Sequence, residues 1–253
     1  MQTVFLTALG VGGATVVGAL LGFILKKPSH KFNDIILSFA AGVMLAAAVI
    51  GLILPSLEYG EWYFSIPITV AGIFCGAICL NLIDRLVPHL HKMTGIDQEA
   101  HPDQTARLNK VLLFVIAIAI HNLPEGIAAG VSFGSDNVSQ ALTVAGGIAL
   151  QNIPEGMVII APMIAAGIKR GRTFLIALGT GIVEVIGTLI GYFAVSISKA
   201  ILPFALAFAG GTMLYVISDE MIPETHAHGN ERGATYSLLV GFCLMLTFDF
   251  LLG

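Results

Sequence analysis

The feature that most constrains this sequence is a series of long apolar stretches that recur from one end of the chain to the other. A helix needs roughly 20 apolar residues to cross the hydrocarbon core of a bilayer. Only 11% of the 253 residues are charged, whereas a soluble domain carries about 25%. A large soluble core therefore fits poorly, and the sequence predicts an all-α integral membrane protein.

Hydropathy and helix-breaking residues predict eight transmembrane helices in a single membrane domain that covers residues 1–253. The first stretch has no basic residues before it and ends in Lys26 and Lys27 without a small-residue cleavage site, so it predicts a span and not a signal peptide. The predicted spans are 2–25, 34–56, 64–88, 110–133, 138–165, 172–198, 201–221 and 234–252.

The basic residues predict the orientation of the helices. Eleven of the twelve lysines and arginines lie on the connections after spans one, three, five and seven, and only Lys199 lies on the other side. Cytoplasmic loops are enriched in basic residues. These connections, including the polar loop 89–109, are therefore expected in the cytoplasm, with both termini outside it.

Four ionisable residues stand inside apolar spans: His121, Glu125, Glu155 and Glu184. Such a residue costs about 2.5–3.5 kcal/mol on insertion scales and is by default functional. None has a lysine or arginine close by in its own span to neutralise it. A cation from outside the chain is the simplest partner.

Two of these spans share a motif, HNLPEG at 121–126 and QNIPEG at 151–156. In each copy the first residue and the glutamate are four apart, and therefore lie on one helix face. Each proline leaves the carbonyl four residues before it without its usual donor, so backbone oxygen becomes available at the level of the side chains. Glu184, on the sixth span, could close the same site.

Imidazole, carboxylate and amide groups together suit zinc and other first-row divalent ions better than calcium or magnesium. The carboxylates could hold two ions, bridged by Glu125 and Glu155. The three cysteines, Cys75, Cys79 and Cys243, all fall inside apolar segments, and we expect them to be small buried residues without a metal or disulfide role.

Several alternatives stay open at this point. His121 could be a hydrogen-bonding residue between helices, Glu184 a structural or proton-relay residue, and the prolines plain kinks. A cation/proton exchanger or proton channel could use the same carboxylates. An intramembrane metalloenzyme is disfavoured because the sequence has no His-Glu-x-x-His helix. We therefore expect a transporter, with divalent ions and lipid as partners, and no enzyme, cofactor or nucleic acid.

The paired motif and the eight-span layout resemble the ZIP (zinc/iron-regulated transporter-like) family, in its bacterial branch. The resemblance implies a multi-pass homodimer in the bacterial inner membrane that imports zinc, or cadmium, iron, manganese or cobalt. It implies a binuclear site in which Glu125 and Glu155 are shared. His121 and Gln151 would complete one ion's ligands, and Asn122, Asn152 and Glu184 the other's.

The resemblance also implies a thioether ligand from Met44 and a cytoplasmic exit at Glu220, Asp219 and His226. A plain buried methionine and a solvated helix end are the alternatives. Many eukaryotic members carry His-Glu-x-Pro-His-Glu in the fifth span, so Gln151 and Asn152 imply weaker and broader metal selection. Five histidines could catch released metal, although solvated polar loops would explain them too: His89, His91, His101, His226 and His228.

The family mechanism implied by the resemblance is an elevator. Spans one, four, five and six would move as a block against spans two, three, seven and eight, which would also form the dimer contact. The glycines of span one are compatible with a sliding face: Gly10, Gly12, Gly13, Gly18 and Gly22.

Overall fold

The computed structural model describes residues 1–25, 28–59, 61–86, 119–135 and 137–252, and all regular structure in these ranges is helical. Seven of the helices are long and apolar enough to cross a membrane, which confirms an all-α membrane protein. The helices are α1 (Gln2–Ile24), α2 (His30–Ser56), α3 (Trp62–Leu86), α4 (119–132), α5 (Val138–Ala165), α6 (Arg170–Ile197), α7 (Lys199–Thr225) and α8 (Glu231–Leu252).

The predicted spans agree with these helices to within a few residues at most ends. α5 has the predicted bounds. α2 begins at His30 instead of residue 34, because the Ser29 hydroxyl accepts a hydrogen bond of 3.2 Å from the backbone N–H of Phe32 and caps the helix. The start of the fourth predicted span and the loop 89–109 lie outside the described residues.

Two helices contain a π-helical segment that the sequence did not predict. The segments are Ala47–Ile53 in α2 and Ile217–Met221 in α7, and each leads directly to a proline, Pro55 or Pro223. A proline removes one helical hydrogen bond and crowds the preceding turn, which a wider π turn relieves. α7 thereby continues to Thr225, beyond its predicted end at residue 221.

The helices pack as two groups. In group A, α1 lies along α5 and α6, and α4 packs on α6. In group B, α3 packs on α7, α8 packs on α2, and α2 contacts α7. At the boundary between the groups, α2 and α8 meet α5.

Glycines mark the contacts inside each group. A Cβ on Gly126 of α4 would collide with the backbone carbonyl oxygen of Glu184 in α6, and one on Gly156 of α5 would collide with that of Thr15 in α1. Group B has the same kind of contact, between Gly241 of α8 and the carbonyl of residue 39 in α2. Only glycine permits such close approach of two backbones in a membrane bundle.

The boundary between the groups is different. A Cβ on Gly51 of α2 would meet the side chain of Val144, and one on Gly147 of α5 would meet the side chains of Met245 and Ala47. At both positions no backbone atom of the other group lies within the nearest contacts. Side chains therefore separate the two groups, whereas backbones touch within them.

Two expectations from the sequence are wrong. Cys75, Cys79 and Cys243 are free but exposed on the outside of the bundle, because their helix faces point away from the packed core. The glycines of α1 do not form a face toward group B. Those in close contact, such as Gly18 against the carbonyl of Ile153, pack on helices of their own group.

Candidate metal site

The two motif copies lie on neighbouring helices of group A. Residues 121–126 belong to α4 and residues 151–156 to α5, and both helices continue through their prolines, Pro124 and Pro154. The close packing of Gly126 on α6 and of Gly156 on α1 brings the polar side chains of these helices toward one another. The motif glycine thus sets the distance between helices, and the residues before it supply the chemistry.

Glu184 lies at the centre of the cluster and is fully buried. Asn122 donates to its Oε1 and Asn152 to its Oε2, each at 2.5 Å. The Thr15 hydroxyl of α1 adds a third hydrogen bond, to Oε1, at 2.6 Å. The equivalent asparagines of the two motif copies therefore hold the two oxygens of one carboxylate.

Thr15 was not among the predicted site residues. Threonine is common in apolar helices, and Thr15 is 169 positions from Glu184 in the sequence, so no local pattern points to it. Asn152 also donates to the backbone carbonyl of Val11 at 3.2 Å. α1 therefore contributes both a hydroxyl and a carbonyl oxygen to the surroundings of the site.

A second hydrogen bond joins the two motif copies directly. Gln151 of α5 donates from Nε2 to Oε1 of Glu125 in α4 at 2.8 Å, and both residues are buried. Glu155 is half-buried and lies close enough to Glu125 for their charges to interact. Glu184 also lies within range of both, so ionised carboxylates here repel one another unless a cation is present.

Four acceptor oxygens of this cluster are buried and have no hydrogen-bond partner among the described residues. A buried acceptor without a donor costs free energy, and nearly all such groups in native proteins are satisfied. All four could coordinate a cation. They are Oδ1 of Asn122, Oε2 of Glu125, Oε1 of Gln151 and Oδ1 of Asn152.

His121, the remaining residue of the first motif, faces the boundary. Its Nε2 lies 2.8 Å from Oε1 of Glu220, which belongs to the π segment of α7 in group B. The two atoms are at ion-pair distance but lack hydrogen-bond alignment. His121 is thus the point at which the site of group A touches group B.

The structure places the other predicted residues as follows. Met44 is fully buried in the apolar core that contains residues of both groups, among small side chains such as Ala128 and Ala129. Asp219 is half-buried beside Glu220 in the π segment. His226 has both ring nitrogens within hydrogen-bond distance of its own surroundings, the carbonyl of Ile222 and the hydroxyl of Thr235.

Within the described ranges, no three side chains of His, Cys, Asp and Glu are grouped closely enough to hold a metal by themselves. The carboxylates are kept apart because amide side chains lie between them in the hydrogen-bond network. Asn122, Gln151 and Asn152 each bridge to a glutamate. Any ion held here in this arrangement therefore needs amide or backbone oxygens as well as carboxylates.

Comparisons with known proteins find a matching family and several similar proteins. A family described as "ZIP Zinc transporter" matches residues 96–249. The chain is 41% identical to "Zinc transporter GufA" of Myxococcus xanthus, over 97% of each protein. It is 38% identical to "Zinc transporter ZIPB" of Bordetella bronchiseptica, over 95% of this chain and 78% of that protein. It is 34% identical to "Zinc transporter ZupT" of Chlorobaculum parvum, over 95% and 94%.

Proposed function

The chain belongs to the ZIP family of zinc transporters, and we propose that it imports zinc and other first-row divalent ions through the cluster on α4, α5 and α6. As a member of this family it is a multi-pass membrane transporter and not an enzyme. The observation that supports the proposed site is a set of four buried acceptor oxygens that have no donor among the described residues and that a cation would satisfy.

The ligands divide between two ions in this proposal. His121, Gln151 and the carboxylates Glu125 and Glu155 bind one ion. The other ion takes the two asparagine oxygens and Glu184, and shares the two motif glutamates. Mutual repulsion among the buried carboxylates supports a cargo of at least one divalent charge. Imidazole together with amide and carboxylate oxygens favours zinc and its first-row neighbours over calcium or magnesium.

Glu220 is the proposed first exit ligand. Its contact with His121 already joins the site to α7 across the boundary between the groups. An ion leaving the site would exchange one of its ligands for this carboxylate without passing through an apolar stretch. Asp219, in the same π segment, would follow it. For Met44 and His226, ligand roles remain predictions from the family resemblance.

Movement of group A against group B is the proposed mechanism. Its support is the contrast in packing, since backbones touch within the groups and side chains separate them. The proposal also includes eight spans, cytoplasmic basic loops, a homodimer built on group B and a location in the bacterial inner membrane. They rest on the charge distribution, the resemblance and the bacterial origin of relatives such as those of Myxococcus and Bordetella.

Reconstituted protein would test the proposal. Purified protein in liposomes, loaded with a zinc-sensitive and a pH-sensitive dye, should take up zinc with a saturable rate. Glu125→Ala and Glu155→Ala should each abolish uptake. Glu231→Ala removes an exposed carboxylate at the start of α8 and is the matched control, which should leave uptake unchanged. Undiminished zinc uptake in both site variants would overturn the site assignment.

The same vesicles distinguish the rival function. A cation/proton exchanger or a proton channel would acidify or alkalinise the lumen under a pH gradient without zinc. The expected result is that the pH signal without zinc does not depend on Glu125 or Glu155. A zinc-independent proton flux that disappears in both variants would favour the rival function.

A further inference from the structure

A second cluster of histidine and carboxylate side chains lies away from the proposed transport site, at the end of the bundle where the basic connections lie. It joins the N-terminal part of α2 to the connection between α7 and α8. Asp34 of α2 is 3% exposed. Its Oδ1 contacts Nδ1 of His228 at 3.0 Å, and its Oδ2 accepts a hydrogen bond from Asn230 at 2.9 Å.

The Asp34 contact selects one tautomer of a neutral His228 ring. A carboxylate that binds Nδ1 of a neutral imidazole holds the proton on that nitrogen and leaves Nε2 as the acceptor. Among the described residues, Nε2 of His228 has no hydrogen-bond partner, and 32% of the side chain is exposed. A buried carboxylate that binds one ring nitrogen of a partly exposed histidine is the usual second shell of a zinc-binding histidine.

A second imidazole lies against the first. The rings of His30 and His228 are stacked with centroids 4.8 Å apart. Two imidazoles that bind one tetrahedral ion at Zn–N distances of about 2.0–2.1 Å have their centroids roughly 5 Å apart. His30 is exposed, at the first position of α2, so its ring can turn toward a shared ion without disturbing the core.

We propose that His30 and His228 bind one first-row divalent ion on the face where the transporter releases its cargo, with Asp34 as the positioning residue and water filling the remaining positions. Two protein ligands make a weak and rapidly exchanging site, which suits a release station and not a permanent metal centre. The binding itself stands independently of the transport site, and only its role as a release station rests on the proposed function.

His226 provides a matched control within the same connection. Both of its ring nitrogens lie within hydrogen-bond distance of chain atoms, at 2.9 Å from the carbonyl of Ile222 and at 3.2 Å from the Thr235 hydroxyl. No nitrogen is left for a metal in this arrangement. His226 and His228 therefore share a loop but differ in the one property that the proposal requires.

Zinc-protected chemical modification would test the site. The full-length protein in detergent would be labelled with diethyl pyrocarbonate over a series of zinc concentrations, and each histidine would be read by mass spectrometry. The expected result is that zinc protects His30 and His228 together, with one common midpoint. Labelling of His226 should not change with zinc. In Asp34→Asn the common midpoint should rise about 10-fold, the lower end of the range for loss of such a partner.

Two further variants should be labelled in the same way. Protection should persist in the double variant Glu125→Ala/Glu155→Ala, so that its failure and the failure of the transport proposal are separate outcomes. His30→Ala should remove the protection of His228. Protection of His228 that is unchanged in His30→Ala, or no protection of either ring, would overturn the proposal and leave the cluster as a structural contact only. Unchanged labelling of His226 reports that each variant retains the native loop.

Discussion

The interior of each helix group and the boundary between the groups use glycine in opposite ways. Inside the groups, a Cβ on most of the closely packed glycines would collide with backbone carbonyl atoms, as Gly156 would with Thr15. At the boundary, the glycines face side chains, as Gly147 faces Met245. Backbone atoms cannot move aside without moving a whole helix, whereas a methionine side chain adapts readily. The molecule is therefore tightly packed within its groups and adaptable between them.

The polar contacts of the site also differ between the interior of group A and the boundary. The hydrogen bonds of Glu184 and Glu125 all stay within group A. Within the described part of the chain, the contact between His121 and Glu220 crosses from the site to group B. The proposed cargo would therefore travel with group A, and its release would depend on a residue of group B. Three experiments test this contrast between the interior of the groups and their boundary.

Zinc uptake should change most when a disulfide holds the two helix groups together. A Cβ on Gly51 would lie 3.7 Å from that of Val144, within the range of about 3.5–4.5 Å that a disulfide requires. In a chain whose Cys75, Cys79 and Cys243 have been changed to serine, the pair Gly51→Cys/Val144→Cys should cross-link on oxidation and lose zinc uptake completely. A reductant should restore uptake.

Each single cysteine variant is the control for this cross-link and should be insensitive to oxidant. Zinc uptake that continues at the same rate in fully cross-linked protein would show that the boundary does not need to move. The extent of cross-linking would be measured by mass spectrometry on the same vesicles.

The second prediction compares the loss of stability at a glycine that contacts backbone with the loss at a glycine that contacts a side chain. Gly156→Ala places a methyl group against the Thr15 carbonyl, and should lower the free energy of unfolding by about 1–3 kcal/mol, as overpacking does. Gly147→Ala meets the flexible end of Met245 and should cost clearly less. Unfolding in detergent by denaturant titration would measure both. Equal losses of stability would remove the distinction between interior and boundary.

The smallest effect concerns the contact that crosses the boundary. Glu220→Gln keeps the size of the side chain but removes its charge beside His121. Because Glu220 is partly exposed, with 21% of its side chain accessible, the contact contributes no more than about 1 kcal/mol. Zinc uptake should slow about two- to fivefold, since a factor of ten corresponds to about 1.4 kcal/mol. Glu224→Gln, an exposed carboxylate on the same helix, is the matched control.

Much of the fold was predictable because hydropathy in a membrane protein is a strong signal. The bounds of α5 were predicted to the residue, and the seven described long helices fall on predicted spans. The π segments were not predicted, because a wider turn changes the hydrogen-bond pattern without changing the apolar composition. The exposure of the cysteines was also missed, since lipid-facing and buried positions of a transmembrane helix have similar composition.

The site, like the fold, was only partly predictable from the sequence. The carboxylates and the motif copies were found because charge in an apolar span is conspicuous, and the structure brings Asn122, Asn152 and Glu184 into direct contact. Thr15 and the contact of His121 with Glu220 depend on helix packing, and a single sequence does not specify which helices meet. The division of ligands between two ions remains a prediction.

The two asparagines that hold Glu184 have a further consequence for the proposed transport cycle. Each amide donates its N–H to the carboxylate, and within the described ranges its oxygen has no hydrogen-bond partner. An arriving ion could therefore be bound by the oxygens of Asn122 and Asn152 while their N–H groups still hold Glu184. Loading would then add coordination bonds without breaking the hydrogen bonds of the carboxylate. In the empty site the two asparagines would hold Glu184 alone, and in the loaded site they would also bind the ion. The buried carboxylate of Glu184 would keep its hydrogen bonds in both states.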